Sequence, residues 1–251
     1  MQLSVIVPVF NEAGNLLPLL EEIHAALVSQ GDFEVIFVDD GSSDDSPQRL
    51  ATALAQHPRL RVLRHDRRCG QSAALRSGIE AARGDWIATL DGDGQNDPVD
   101  IPILLCRARE AGLEGHWLLA GWRTRRQDSR LKRLSSRLAN GLRSRLLGDA
   151  TPDTGCGLKL FPRETFRQLP WFDHMHRFLP ALVLRAGGRV IPVPVSHRPR
   201  RLGRSKYGVH NRLWVGLVDL LGMLWLQRRM RRVEVTELKV GSHRSVDSEA
   251  A

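Results

Sequence analysis

The first hundred residues alternate between apolar stretches and amphipathic stretches, and this alternation constrains the fold more than any other feature. The apolar stretches, with β-branched and apolar residues on both faces, are predicted strands at 3–10, 33–38, 60–63 and 86–90. The stretches with helical periodicity are predicted helices at about 14–28, 47–55, 70–82 and 98–111. This order predicts an α/β fold with a mostly parallel central sheet and helices on both faces.

Polar residues follow three of the predicted strands at the point where each strand ends. They are Asn11 and Glu12, Asp39 and Asp40, and Asp91 and Asp93. Because ligands bind beyond the carboxyl ends of strands in open α/β sheets, we expect these residues to share a crevice and to contact a base or ribose. A cap for the next helix would explain Ser42 to Asp44 equally well, but it would not explain acids at successive strand ends.

The segment Asp91-Gly92-Asp93 places two carboxylates close together directly after a buried strand. Hard cations such as Mg²⁺ or Mn²⁺ bind carboxylate oxygens and keep positions for water and phosphates, and Gln95 can add a neutral oxygen. The competing interpretation is an ordinary turn, since turns favour Asp and Gly for backbone reasons. The sequence has neither a glycine-rich dinucleotide motif nor a P-loop, so a nucleotide held through a metal is the natural alternative.

The net charge of +9 and the pI near 10.6 indicate phosphates, an anionic membrane or nucleic acid as partners. Residues 123–145 are predicted to form a basic amphipathic helix, and 197–208 a mobile basic loop that closes over phosphates. An ordinary solvated helix face and an exposed loop are the plainer alternatives. Nucleic acid is not expected as a partner, because 123–145 contains no aromatic residue and the acidic strand ends would repel a polyanion.

Later segments complete the predicted organisation. A short strand is expected at 117–121, and another at 190–195 whose prolines favour a sheet edge. The apolar segment 213–227 is shorter than the roughly 20 residues that a spanning helix needs, so it is predicted to be interfacial or docked. The basic cluster that follows it would attract anionic lipid headgroups. We therefore divide the chain into one domain at 1–210, an interfacial helix at 211–232 and a disordered polar tail at 233–251.

Isolated cysteines and histidines give weaker signals. Cys69, Cys106 and Cys156 are odd in number and widely spaced, so we expect buried fillers in a reducing cytosol rather than disulfides or a zinc site. His174 and His176 are candidates for metal ligands or for a base, although a structural role is the plainer expectation. The glycines within 153–158 would permit a close backbone approach to a ligand, and they serve turns equally well.

Taken together, these motifs resemble those of the family 2 glycosyltransferases with the nucleotide-sugar-binding (GT-A) fold. Within that family the chain is similar to the polyprenyl-phosphate glycosyltransferases, of which dolichol-phosphate mannosyltransferase is the best known. The resemblance covers about residues 3 to 210. The matching pieces are 5–12, 38–44, 91–98, 121–123, 131–133 with Arg137 and Asn140, and Arg200 with 203–206.

The resemblance implies a role for each matching position. The implied nucleotide-sugar-binding residues are Pro8, Phe10, Glu12, Asp39, Asp91, Gly92, Asp93 and Gln95. The implied metal ligands are Asp91, Asp93 and Gln95, the implied catalytic residues are Asp91, Asp93 and Arg123, and the implied phosphate-binding residues are Arg123, Arg133, Arg200 and Lys206, with Arg137 a weaker candidate. Two positions depart from the common family pattern, because Phe10 replaces a frequent tyrosine and Gly92 replaces a frequent alanine.

The activity implied by the resemblance is metal-dependent, inverting transfer of a sugar from a nucleotide-sugar donor to polyprenyl phosphate. GDP-mannose is the favoured donor, and a UDP-sugar is possible. A lipid phosphate is already anionic, so this chemistry requires no strong base. A hydroxyl acceptor, such as a cell-envelope polysaccharide, would instead require a base, for which Asp153, His174 and His176 are the candidates. A catalytically silent scaffold is the alternative from a different class.

The expected location is the cytoplasmic, inner face of a membrane, where the protein is peripheral. The first residues lead directly into a strand, without a basic leader or a signal-type hydrophobic segment. The protein would reach the membrane either through the segment 213–232 or through a separate small membrane protein.

Overall fold

The computed structural model of the chain describes residues 2–124, 141, 143–149, 151–200 and 209–229, the last range with side chains from 215 onward. The described strands are β1 (Leu3–Val9), β2 (Phe33–Asp39), β3 (Leu60–Arg64), β4 (Trp86–Thr89), β5 (Trp117–Arg123), β6 (Lys159–Pro162) and β7 (Arg189–Val195). The described helices are α1 (Leu16–Leu27), α2 (Ser46–Leu54), α3 (Gln71–Ala81), α4 (Asp100–Glu110), α5 (Arg163–Arg167), α6 (Leu179–Arg185) and α7 (Val209–Arg229), with a 3-10 helix at Met175–Arg177.

The seven described strands form one mixed sheet in the order β3-β2-β1-β4-β6-β5-β7. Neighbouring strands are parallel except at β6, which runs antiparallel to both β4 and β5. The predicted α/β class with a mostly parallel sheet is therefore confirmed. The predicted edge position of the proline-containing strand is also confirmed, since β7 ends the sheet and pairs with β5.

Both faces of the sheet are covered, because alternate residues of each strand point to opposite sides. On one face, Val5 and Val7 of β1 belong to a core that includes buried residues of α1, α2 and α4. On the other face, Ile6 belongs to a second core with α3, α5 and α6. Helices therefore lie on both faces, as the sequence predicts.

Helix α7 adds to the second core. Its Met223 is 1% exposed, and Gln227 Nε2 donates a hydrogen bond to the backbone oxygen of Leu147 at 3.1 Å. Within the described part of the chain, no helix combines the length and the apolar character that crossing a membrane requires. The apolar segment predicted at 213–227 is thus the middle of a docked helix.

Several expectations differ from the structure. Strand β6 and helices α5 and α6 were not predicted. The basic helix expected from residue 123 does not begin there, since Arg123 is the last residue of β5 and pairs with Val195. Residues 143–147 are helical, whereas most of that segment lies outside the described residues. The predicted tail at 233–251 also lies outside them. Only Cys156 is buried, and the exposure of Cys69 and Cys106 corrects the expectation of three buried fillers, although all three are free thiols.

Candidate active site

The carboxyl ends of β1, β2, β4 and β5 meet at one edge of the sheet, and the antiparallel β6 brings its first residue to the same edge. A cavity of about 620 Å³ opens there. The predicted site residues that line it are Pro8, Phe10, Glu12, Asp91, Gly92, Asp93, Gln95, Arg123 and Arg200. Parallel strand direction explains this convergence, because residues that follow different strands end at one place.

Asp91 and Asp93 both line this cavity, just beyond the end of β4. Asp91 Oδ1 accepts a hydrogen bond from Gln71 Nε2 at 2.8 Å, and Asp93 Oδ1 accepts one from the backbone N–H of Gln95 at 3.1 Å. Burial and the neighbouring charge of Asp93 raise the pKa of Asp91 to about 6, although Lys159 and Arg123 oppose that rise. Two carboxylates that repel one another in a part-buried site are suited to hold a divalent cation.

The raised pKa predicts how metal binding depends on pH. A divalent cation needs the deprotonated carboxylate of Asp91, so protons compete with it below the pKa. We expect Mn²⁺ affinity to be constant above about pH 7 and to fall by about tenfold per pH unit well below pH 6. Titration calorimetry with Mn²⁺ at several pH values measures this dependence. Affinity that stays constant down to about pH 4, the ordinary aspartate range, would contradict the assignment.

Gly157 lies against the carboxyl group of Asp91. A Cβ atom built on Gly157 would overlap all three carboxyl atoms of Asp91, so a larger residue fits only if the Asp91 side chain or the loop of predicted metal ligands, residues 91–95 (the metal loop), moves. The backbone oxygen of Gly157 accepts a hydrogen bond from Thr89 Oγ1 at 2.6 Å, which fixes the loop to β4. The close approach that the glycines of this loop permit is therefore to a predicted metal ligand.

Arg123 forms a two-pronged ion pair with Asp153 on the wall of the cavity. Nε lies 2.6 Å from Asp153 Oδ2, and Nη2 lies 2.9 Å from Oδ1. Burial alone would lower the pKa of Arg123, but the hydrogen bonds and charge of Asp153 raise it. Because both oxygens of Asp153 accept hydrogen bonds from Arg123, this carboxylate orients the Arg123 guanidinium and is poorly placed to act as a base.

The segment after β7 is anchored to the metal loop. Arg200 Nη2 lies 2.8 Å from Asp93 Oδ2 and 3.6 Å from Glu12 Oε1. Arg198 donates from Nη1 to Glu22 at 2.7 Å and from Nε to Asp97 at 2.9 Å. The predicted mobile loop is thus held in place over its described residues, 197–200, while 201–208, including Lys206, lie outside the described residues. Arg133 and Arg137 lie outside them as well.

At the predicted nucleoside end, the guanidinium of Arg68 lies over the ring of Phe10, 4.5 Å from its centroid. Asp39 is buried and does not line the cavity, unlike its neighbour Asp40. Asp39 Oδ1 accepts a hydrogen bond from the backbone of Ser42, and Oδ2 lies 3.3 Å from Arg64 Nε without a hydrogen bond among the described residues. A nucleobase with an N–H group could donate the missing hydrogen bond to Oδ2.

A second group of possible metal ligands, Asp40, His65 and Cys69, lies close together. Asp40 already accepts hydrogen bonds from the backbone N–H groups of Cys69 and Gly70, each at 2.8 Å. One ring nitrogen of His65 contacts Asp40 at 2.8 Å, and the other contacts Ser77 at 2.9 Å. This group is therefore a hydrogen-bonded anchor for the turn before α3.

Several cavity residues were missed by sequence reasoning: Arg68, Gln71, Gly157, Lys159 and Arg177. Lys159 is 4% exposed, and its Nζ donates to the backbone oxygens of Thr154 and Cys156. Burial lowers its pKa, against the charges of Cys156, Asp91 and Asp153. The sequence offered one signal for Lys159, which is the small-residue loop 153–158 directly before it. That loop leads into β6, a strand that was not predicted.

A mixed α/β sheet with paired carboxylates beyond a central strand, in a cavity that two arginines also line, is typical of the class of GT-A sugar-nucleotide transferases. Residues 4–169 match the family described as Glycosyl transferase family 2, and the chain belongs to this family. The expected family resemblance is thereby confirmed.

Two curated relatives within this family are similar to most of the chain. The chain is 38% identical over 237 residues to the dodecaprenyl-phosphate galacturonate synthase of Rhizobium johnstonii, covering 92% of this chain and 69% of the relative. It is 39% identical over 209 residues to the undecaprenyl-phosphate 4-deoxy-4-formamido-L-arabinose transferase of Edwardsiella ictaluri. That match covers 82% of this chain and 63% of the relative, so the chain spans less than two thirds of the second protein.

The solved structures agree on the fold. Glucosyl-3-phosphoglycerate synthase from Mycobacterium tuberculosis, in complex with Mn²⁺, UDP-glucose and phosphoglyceric acid, has a TM-score of 0.63 to this chain. The match covers 90% of this chain and 79% of that one, at 22% identity. This similarity supports the GT-A architecture.

Proposed function

We propose that the protein transfers a sugar from a nucleotide-sugar donor to a polyprenyl phosphate, with inversion and with a divalent metal. The observation that carries this proposal is the pair Asp91 and Asp93, held in one cavity with Arg123 and Arg200. Carboxylates to hold a metal and arginines to hold phosphates are what a reaction between two phosphate-bearing substrates requires. The relatives named for polyprenyl-phosphate chemistry support the acceptor class.

The metal ligands proposed here fit Mg²⁺ or Mn²⁺, because Asp91, Asp93 and Gln95 supply the oxygen atoms that these hard cations prefer. When bound, such a cation supplies Lewis-acid stabilisation of the leaving diphosphate. The nucleoside would lie against Pro8, Phe10, Glu12 and Asp39, with Phe10 offering a ring for stacking.

Phosphate positioning falls to the arginines. Arg123 and Arg200 are each oriented by a carboxylate in the cavity, so their remaining N–H groups are pre-arranged for phosphate oxygens. Arg133 and Lys206 are proposed to contribute as well, from the resemblance alone. Mg²⁺ or Mn²⁺ at Asp93 would compete with Arg200 for the same carboxylate, which would leave Arg200 available to a phosphate.

The engagement of Asp153 by Arg123 supports a phosphate acceptor over a hydroxyl acceptor. A polyprenyl phosphate oxygen is already charged near pH 7, whereas a polysaccharide hydroxyl must lose a proton as it reacts. Asp153, the carboxylate candidate for that task, is engaged by Arg123 through both oxygens. His174 contacts Asp219 of α7 at 3.0 Å and does not line the cavity.

For the donor, we now favour a UDP-linked sugar over GDP-mannose. The curated relatives are named for galacturonate and for a formamido-arabinose, and the solved neighbour was captured with UDP-glucose. Neither relative is named for mannose. UDP-galacturonic acid is therefore the first donor to test, with GDP-mannose as the direct competitor.

The deciding experiment combines binding and turnover. Calorimetry with UDP and with GDP, each with and without Mn²⁺, measures which nucleotide binds and whether binding needs the metal. Transfer from the matching nucleotide sugar to undecaprenyl phosphate then tests the acceptor, with a polysaccharide hydroxyl acceptor in parallel. Folded protein that binds neither nucleotide in the presence of metal would refute the proposal and favour a silent scaffold.

We also propose that the protein is peripheral on an anionic membrane, with residues 211–232 as the interfacial element beside a catalytic domain at 1–210. The outward face of α7 exposes four large apolar residues, Leu217, Val218, Leu221 and Trp225. Arg228 and Arg229 follow on the exposed end of the same helix. An apolar stripe that ends in arginines suits the boundary between lipid tails and anionic headgroups.

This arrangement predicts a membrane-binding variant. Leu221→Gln, at a side chain 59% exposed, should weaken binding to phosphatidylglycerol vesicles by about fivefold or more, because burial of a leucine contributes about 1.5–3 kcal/mol. Co-sedimentation with the vesicles measures the effect. Leu54→Gln on α2, 44% exposed, is the matched control and should bind as the parent does. Equal binding by all three proteins would remove α7 from the interface.

A further inference from the structure

His176 lines the cavity and has no role in the mechanism proposed above. It lies in the 3-10 helix Met175–Arg177. Its Nδ1 atom is 2.8 Å from Ser72 Oγ, and its backbone N–H donates to the same oxygen at 3.4 Å. Ser72 is 1% exposed in α3, directly after Gln71, which donates to Asp91. The ring is thus tied to the helix that supports the metal loop.

We assign the ring proton from these two contacts. Ser72 Oγ accepts the backbone N–H of His176, and in our assignment its own hydrogen is donated to Nδ1. The neutral ring then carries its hydrogen on Nε2, the second ring nitrogen. Burial, with the positive charges of Arg177, Lys159 and His174, holds the pKa of His176 well below its usual value. A neutral ring with hydrogen on Nε2 is a donor toward the cavity and has no lone pair there to act as a base.

The position of His176 within the cavity indicates which part of the nucleotide-sugar donor it would contact. Phe10 and Arg68 mark the nucleoside end, and Asp91 and Asp93 mark the diphosphate. His176 belongs to neither group, and it packs on the α3 side of the metal loop. A nucleotide sugar that extends past its diphosphate would place the sugar against lining residues outside these two groups, and His176 is one of them.

We propose that His176 is a specificity-determining residue whose Nε2–H donates a hydrogen bond to an oxygen of the transferred sugar. This inference rests on the proposed function, since it requires a nucleotide-sugar donor. Ser72 acts through His176 as a positioning residue that selects the tautomer. The same geometry argues against His176 as the base that a hydroxyl acceptor would need.

Two isosteric variants separate this role from a structural one. His176→Asn places an amide near the position of Nδ1, which keeps a partner for Ser72 and removes the Nε2 donor. His176→Gln reaches the position of Nε2 with an N–H and loses the Ser72 contact. Binding of UDP and of UDP-galacturonic acid is measured by calorimetry with Mn²⁺ on the full chain, and GDP with GDP-mannose serves if the parent binds GDP instead.

We expect UDP to bind the parent and both variants equally. UDP-galacturonic acid should bind His176→Asn about tenfold more weakly and His176→Gln within about threefold of the parent, as loss of one hydrogen bond implies. The reverse order, with the Asn variant normal and the Gln variant weak, would assign His176 a structural role and overturn the proposal. Equal binding of the sugar nucleotide by all three proteins would also overturn it. If the parent binds no nucleotide sugar at all, the proposed function itself fails.

A base role gives a different signature. If His176 removed a proton, both variants would bind the sugar nucleotide normally, and both would lose turnover together with the acid limb of the pH–rate profile. That result would overturn the donor role and restore the hydroxyl-acceptor alternative.

Discussion

Asp91→Asn and Asp93→Asn are each expected to abolish sugar transfer and to leave the fold intact. An amide at either position removes a negative charge from the metal site, so the divalent cation binds weakly and its stabilisation of the leaving diphosphate is lost. A loss of several kcal/mol in the transition state corresponds to a decrease of about 10³-fold or more in kcat/KM. Steady-state transfer to undecaprenyl phosphate at saturating Mn²⁺ measures this loss.

The fold should survive because each carboxylate contributes little to the free energy of unfolding of the metal-free protein. Burial and repulsion from Asp93 raise the pKa of Asp91, which means that its ionised form is disfavoured in the folded state. Asp91→Asn relieves that penalty, so the thermal midpoint should be unchanged or higher. Asp93→Asn gives up an ion pair with Arg200, whose side chain is 24% exposed, and the cost should be small.

Asp66→Asn is the matched control, because its side chain is 82% exposed and, within the described part of the chain, pairs with Arg67 on the surface. It should keep both Mn²⁺ affinity and turnover. If either variant of the metal loop retained near-parent turnover with normal Mn²⁺ binding, the assignment of Asp91 and Asp93 as metal ligands would be wrong.

The parts of the fold that the sequence predicts are those set by local pattern. Strands β1, β2 and β4 are continuous apolar runs, because both of their faces are covered by helices, and the polar residues that follow them converge as expected. The proline-containing β7 was placed at an edge for a local reason also, since proline lacks a backbone donor. These inferences need no knowledge of which distant segments meet.

The parts that the sequence does not predict depend on contacts between distant segments. Strand β6 has four residues, begins with the buried Lys159 and gains its position by inserting between β4 and β5. Arg123 and Asp153 are 30 residues apart, and Ser72 and His176 are 104 residues apart, yet Arg123 and His176 line the cavity and each is held by its distant partner. No local periodicity encodes these pairs.

Asp39 illustrates the same limit from the other side. Its place at a strand end and the family resemblance both predict nucleoside contact, and this stays a prediction: Oδ1 accepts from the Ser42 backbone, and Oδ2 lies 3.3 Å from Arg64 Nε. Asp40, the next residue, lines the cavity while binding the turn before α3. Adjacent residues at the end of a strand point in opposite directions, so the pattern gives the place of the pair but not the different surroundings of its two members.

Gly157→Ala is expected to have the second-largest effect on activity. The added Cβ would coincide with the carboxyl group of Asp91, so the loop at 153–158, the metal loop or the Asp91 side chain must move. The hydrogen bond from Thr89 to the Gly157 oxygen holds the loop at 153–158, so the Asp91 side chain is the part expected to move, against its hydrogen bond from Gln71. We therefore expect Asp91 to be displaced, with kcat/KM reduced about 10²-fold or more, because a misplacement of about 1 Å at a catalytic centre can cost that much.

Gly155→Ala in the same loop is the matched control, because its Cβ would meet only Arg123 Nη2 at 3.4 Å and Asp153 Oδ1 at 3.7 Å, which are ordinary contacts. It should retain Mn²⁺ affinity and most of its turnover. Calorimetric Mn²⁺ binding, transfer kinetics and the thermal midpoint are compared for the parent and both variants. A Gly157→Ala protein with parent-like Mn²⁺ affinity would mean that the loop relaxes without moving Asp91, and the steric role of Gly157 would be refuted. If instead only the Gly157 variant loses Mn²⁺ while both remain folded, the loop before β6 is part of the metal site even though it supplies no ligand to it.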